Sequence, residues 1–214
     1  MPVVRNAEPR SDAEPRAVVL VEGLSDRYAV EALAERRGRV LAAEGIVVLA
    51  MGGASNVSRF LDRFGPRGLN LAVAGLYDEA EVGYFRRGLE RAGLLPRFEQ
   101  SRSELARSVH SHTQMERLGF YVCRSDLEDE LIRGLGVEAV LRIVEAEGEL
   151  GAFHTLQRQP AHQDRSPEQQ LHRFLGTRAG RKIRYGRLLV EALDPASVPR
   201  PLDRVLARAF SAAG

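Results

Sequence analysis

Lysine is almost absent from this 214-residue chain: among 31 basic residues Lys182 stands alone, and the rest are arginine. A GC-rich coding background accounts for an arginine bias. A single lysine against it is either chance or a position that needs a compact ammonium where a planar guanidinium will not serve. Cysteine is equally scarce. Cys123 has no partner for an internal disulfide and lies in an apolar run, so it reads as a small buried hydrophobe. Long apolar runs are missing, which excludes a membrane-spanning helix, and the opening MPVVRNAEPRSDAEPR has no signal-peptide core, which points to the cytoplasm. Charge of one sign is missing too. The formal net charge is +2, so this is no generally basic nucleic-acid coat, and any nucleic-acid site must arise from local clustering. No GxxxxGK[ST] or GxGxxG phosphate loop occurs. His110 and His112 are two apart and His154, His162 and His172 are scattered, so no zinc-ligand spacing forms with Cys123.

What is present is a repeated strand-to-helix pattern. Ala17 to Val21 is a Val-rich apolar run of the kind buried on both faces of a parallel sheet. It ends at Glu22–Gly23, and Ser25 or Asp26 is placed to cap a helix running to Arg37. Ile46 to Ala50 is a second strand, with Gly52–Gly53 read as its exit and a helix from about Ala54 to Phe64. Leu69 to Leu76 is a third, followed by Tyr77 to Glu81 and a helix to about Arg91. Gly119 to Cys123 is a fourth, leading into the acidic helix start Arg124 to Ile132. Short connections between such units imply right-handed crossovers and a sheet of about four parallel strands.

The remainder divides by composition. Residues 1–15 read as a flexible arm with Pro2, Pro9 and Pro15. Residues 97–117, with Arg97, Arg102, Arg107, His110, His112 and Arg117, read as a solvated connection or as a basic segment that touches a phosphate backbone. Beyond a boundary near 136 the chain is helical: Val137 to Val144, a start at Ser166–Pro167–Glu168 running to Phe174, Arg181 to Leu193 and Leu202 to Phe210. The expected organisation is a sheet domain over residues 16–136 and a helical C-terminal extension over 137–214 that packs on it.

Three strands end in carboxylates: Glu22 with Asp26, Asp78 with Glu79 and Glu81, and Asp126 with Glu128. In a parallel sheet these ends share one edge, where open α/β sheets bind their ligands. Such crowding is expensive unless cations neutralise it, and hard divalent ions such as Mg²⁺ (or Mn²⁺) prefer oxygen ligands and keep waters for substrate phosphates. Two such ions can clamp the attacking and leaving oxygens of a phosphodiester. The plainer reading is that these acids are helix caps and first-turn acids complementing helix dipoles.

The strand followed by VEGLSD (21–26) and a helix resembles the first motif of the Toprim domain, and the whole arrangement resembles the Toprim nuclease domain of the OLD (overcoming lysogenisation defect) family. The resemblance implies an α/β, Rossmann-like Toprim fold and makes Glu22 and Asp26 metal ligands, with Glu22 also catalytic. GLYDEAE (75–81) stands in the place of an Asp-x-Asp motif: Asp78 matches its first Asp, Ala80 replaces its second, and Glu79 or Glu81 is the substitute ligand, Glu81 being the one taken into the metal set. SDLEDELI (125–132) resembles the acidic segment that closes the family's site and carries over Asp126 and Glu128. GRKIRYG (180–186) puts Lys182 where the family has a transition-state lysine, with Arg181 and Arg184 beside it for nucleic acid. The family's ATPase domain has no counterpart here, so a stand-alone Toprim protein is expected.

The function so implied is a Mg²⁺-dependent nuclease that cleaves DNA phosphodiesters with one or two metal ions. The alternative, motivated by Ala80, is a catalytically weak or inactive Toprim module that binds nucleic acid or regulates, working with a separate ATPase partner. DNA and that ATPase subunit are the implied partners; a homodimer is left open, and no membrane is involved.

Overall fold

The computed structural model describes residues 14–96 and 112–214, so the arm before residue 14 and the basic stretch over 97–111 lie outside the described residues. Its centre is a sheet of four parallel strands: β1 (Ala17–Val21), β2 (Ile46–Ala50), β3 (Ala72–Asp78) and β4 (Phe120–Cys123), in the order β2-β1-β3-β4. Every residue of β1 is buried. Period-two alternation explains this: Val19 and Val21 face one hydrophobic cluster, while Val18 and Leu20 face the other.

The second face is covered by α2 (Val57–Phe64) and α3 (Val82–Arg91), through Val57, Leu61, Phe85 and Leu89. The first is covered by α1 (Leu24–Arg36) together with helices from the far end of the chain. After β4 come α4 (Leu127–Leu135), α5 (Val137–Ala146), α6 (Leu150–Gln157), the single turn α7 (Pro160–Gln163), α8 (Pro167–Leu175), α9 (Ala179–Ala192) and α10 (Arg200–Ala213). α9 lies along α1, and α10 lies across β1, β3 and β4 with Val205, Leu206 and Ala209 fully buried. The C-terminal helices therefore form the second layer over the sheet and share its core.

Both ends of β3 differ from the sequence reading, and β4 starts one residue later, at Phe120. β3 begins at Ala72 because the chain is still turning at Asn70, which holds a left-handed φ of 52°. It continues to Asp78 because Gly75 through Asp78 pair with Phe120 through Cys123. Asp78 is thus the last residue of the strand. Residues 112–117, included in the polar connection, form a short helical segment before β4. Among the described residues no helix is long and apolar enough to cross a membrane.

The strand order fixes where a site belongs. The chain steps from β1 outward to β2, then crosses back to β3 on β1's other side. The reversal opens a crevice at the carboxyl ends of β1 and β3, the usual ligand position in open α/β sheets.

Candidate active site

Glu22 leaves β1 into that crevice, and its backbone is pinned. The Gly52 and Gly53 N–H groups at the exit of β2 donate to the Glu22 carbonyl at 3.0 and 3.3 Å. Gly23 occupies the N-cap position of α1, and Asp26 folds its carboxylate back to accept the Gly23 N–H at 2.8 Å. Neither Ser25 nor Asp26 is the cap residue itself; the helix starts earlier, at Leu24, and Asp26 closes its first turn from the third helical position.

Asp78 arrives from the end of β3, Glu128 from the first turn of α4, and Lys182 from the first turn of α9. Glu22, Asp26, Asp78, Glu128 and Lys182 line one cleft of about 250 Å³, together with Gly23, Leu24, Ser25 and Ile183. Glu128 is only 4% exposed. The Lys182 ammonium lies 3.2 Å from Glu128 Oε2, close enough to pair charges but outside hydrogen-bond alignment, so that oxygen is buried without a hydrogen-bond partner.

Four carboxyls face one ammonium in a half-desolvated space, and Glu22, Asp26 and Asp78 respond by holding their protons more tightly. Burial, then the nearby Glu128, pushes Asp26 up to about 7. Burial, then Asp26 and Glu22, pushes Asp78 up to about 8. Burial, then Glu81, raises Glu22, with Lys182 acting against them. Burial works to lower Lys182, but the close contact with Glu128 and the charges of Glu128, Asp26 and Asp126 together outweigh it, and the net shift is upward.

The family model for the overcoming lysogenization defect protein-like TOPRIM domain matches residues 15–79, the stretch holding Glu22, Asp26 and Asp78. Over those residues the chain is similar to an OLD-like Toprim domain. Its fold is that of the C-terminal region of the Xanthomonas campestris pv. campestris OLD protein, at 24% identity and a TM-score of 0.70, covering 93% of this chain and 96% of that one. The C-terminal region of the Burkholderia pseudomallei OLD protein aligns at 22% identity and a TM-score of 0.67, covering 94% of this chain and 99% of that one. No curated protein matches the chain.

In this Toprim cleft every donor is an oxygen, two acids carry protons that a cation would displace, and Glu128 Oε2 is an orphaned buried acceptor. That donor set fits a hard divalent ion in type and charge. The acids surround the space without closing on it: among the described residues, no group of three or more His, Cys, Asp or Glu stands ready to hold a metal ion.

The remaining sequence candidates lie around this Toprim cleft. Glu81 sits in the 3₁₀ turn after β3, near enough to raise Glu22 but outside the cleft lining. Asp126 has both oxygens engaged, Oδ1 accepting the Asp129 N–H at 2.9 Å and Oδ2 lying 2.6 Å from His172 Nε2. Burial works to raise it, but those bonds hold it below the usual carboxylate range. Asp126 is therefore the cap of α4, tied to α8 through His172.

Arg181, expected beside the nucleic acid, is 8% exposed, and its guanidinium is engaged by Glu149, the Phe174 carbonyl and Thr177, so it clamps α9 to the turn before α6. Arg184 also pairs with Glu149 and with Glu147, yet keeps a 47% exposed side chain. Glu149 further accepts the Tyr185 hydroxyl at 3.0 Å. Sequence reasoning missed Glu149 and His172. Glu149 looks like any surface acid and His172 sits 46 residues from its partner; only coordinates bring them together.

Proposed function

We propose that this chain is a divalent-metal-dependent phosphodiesterase of the nuclease type acting on DNA. The observation that carries the reading is the convergence, in a Toprim fold, of Glu22, Asp26, Asp78 and Glu128 with the chain's one lysine at the sheet's switch point. Glu22, Asp26, Asp78 and Glu128 would hold Mg²⁺ or Mn²⁺, with Glu81 and Asp126 as outer acids. A hard ion bound there supplies positive charge to the phosphate oxygens and acidifies a bound water.

The chain's own groups do the rest. Glu22, with its pKa raised by burial, is a carboxylate poised to accept the attacking water's proton. Lys182, half-exposed at the cleft mouth, reaches a non-bridging phosphate oxygen as charge builds on it. The pinned Glu22 backbone keeps its carboxylate from following the phosphate away. Arg184 contributes an exposed cation one turn from Arg181, on the same helix as Lys182.

A second reading has its own observation: Ala80 stands where the resembled motif has its second acid, and the acids do not stand pre-closed around an ion. It makes the chain a nucleic-acid-binding or regulatory module, assembled as a homodimer or with a separate ATPase subunit.

The test is cleavage of supercoiled and linear plasmid with Mg²⁺, Mn²⁺ or EDTA, beside Glu22→Ala and Lys182→Ala. Metal-dependent cleavage lost in both variants supports the nuclease reading. Cleavage that survives Glu22→Ala refutes the site, and metal-dependent DNA binding without cleavage selects the second reading.

A further inference from the structure

Lys182 is arranged differently from the acids it faces. Its side chain is 41% exposed, whereas that of Glu128 is 5% exposed and fixed in the first turn of α4. Glu128 Oε2 has no hydrogen bond, so the ammonium 3.2 Å away is the only group compensating that oxygen among the described residues. A buried acceptor with no compensating cation is strongly unfavourable, so the metal-free cleft holds this ammonium against it. The same oxygen is the buried, unsatisfied acceptor that a metal would use. One acceptor therefore has two competing cations, and only one of them is on a flexible stem with an open route to solvent.

We propose that Lys182 is the built-in counter-ion of the metal-free cleft, and that a divalent cation loads by displacing its ammonium from Glu128. This rests on the metal-dependent reading above and adds to it. The lysine that is released is then free over the cleft mouth, so loading the site and delivering a cation to the phosphate are one exchange. An arginine would not serve: its planar fork would hold Glu128 through directed hydrogen bonds and resist release.

The test needs no nucleic acid and no turnover. Mn²⁺ or Mg²⁺ affinity is measured by calorimetry on the wild-type chain, Lys182→Met and Lys182→Arg. Lys182→Met keeps the stem and removes the competitor, so it is expected to bind metal at least about tenfold tighter, a charge–charge effect at contact distance in a partly buried site. Lys182→Arg is expected to bind no tighter than wild type. A second readout needs no substitution. Because Lys182 is the sole lysine, ¹³Cε-labelled lysine gives one NMR signal from the folded chain, and diamagnetic Mg²⁺ should move it toward the free-lysine position.

A folded Lys182→Met that binds metal equally or more weakly overturns the proposal, as does a lysine signal that Mg²⁺ saturation leaves in place. If the wild type cleaves DNA but either result is obtained, the exchange is wrong and the nuclease reading stands. If the wild type binds no metal at all, both fall together.

Discussion

The position of Lys182 depends on a glycine one turn further along the same helix. An ideal Cβ built on Gly186 would lie 2.7 Å from the Ser25 carbonyl oxygen and 3.3 Å from its carbonyl carbon and Cα. Ser25 sits between Glu22 and Asp26, so α9 rests directly on the acidic loop at this point. Gly180, near the start of the same helix, has nothing within 4 Å of its Cβ position. The two Gly→Ala substitutions therefore separate helix propensity from seating. Each gains up to about 1 kcal/mol from propensity, but Gly186→Ala also forces backbone apart in a packed interface, at about 1–3 kcal/mol. With about 2–4 °C per kcal/mol for a chain of this size, Gly186→Ala should melt about 2–12 °C below Gly180→Ala. The retreat of α9 also lifts Lys182 from the acids, and misplacement on the ångström scale costs up to about 100-fold in rate. Thermal unfolding followed by circular dichroism, plasmid cleavage, and the single lysine NMR signal read the three consequences. Equal melting, equal cleavage and an unmoved lysine signal in the two variants would refute the idea that Gly186 seats α9 on the acidic loop.

Without metal, Asp26 and Asp78 keep protons up to about pH 7 and 8 that the unfolded chain gives up near 3.8. The native state then binds more protons across that window, so stability should fall as pH rises, by at most about 1.4 kcal/mol per unit for each carboxyl. A melting temperature in EDTA that stays flat from pH 5 to 8.5 would contradict those protonation states, and saturating Mg²⁺ should flatten the slope. Glu128→Gln should abolish the metal-induced rise in melting temperature while leaving a folded chain; a full rise would remove Glu128 from the ligand set. Arg181→Met breaks a largely buried ion pair and should cost about 3 kcal/mol in denaturant unfolding. It should leave the salt slope of DNA binding unchanged, whereas Arg184→Ala should lower that slope by about one. A salt-slope change in Arg181→Met would return Arg181 to the nucleic-acid surface.

The strands and the acidic loop were legible because their signals are local. Five consecutive apolar residues from Ala17 to Val21 cannot alternate with solvent, so both faces had to be covered, and β1 is indeed wholly buried. Glu22, Asp26 and Asp78 were visible because each sits within a few residues of a strand end. Glu128 carried a misleading local signal, since acids in a first helical turn are ordinarily exposed companions of the helix dipole. The cation it faces, Lys182, is 54 residues away, and no short window contains both.

Arg181 and Lys182 show why proximity in sequence misassigns roles on a helix. Neighbouring residues point about 100° apart around the axis, so adjacent cations on α9 need not share an environment. Arg181 turns toward Glu149 and the Phe174 ring, 3.9 Å from its guanidinium carbon, while Lys182 turns toward Glu128. The residue types match these two destinations. A planar guanidinium suits the buried clamp, where several oxygens and an aromatic face must be satisfied together. A compact ammonium suits the cleft, where its position must change when another cation arrives. The scarcity of lysine in this chain is thus informative at the one position where the exchange of cations would fail with arginine, and Lys182→Arg is the variant that isolates that requirement from charge alone.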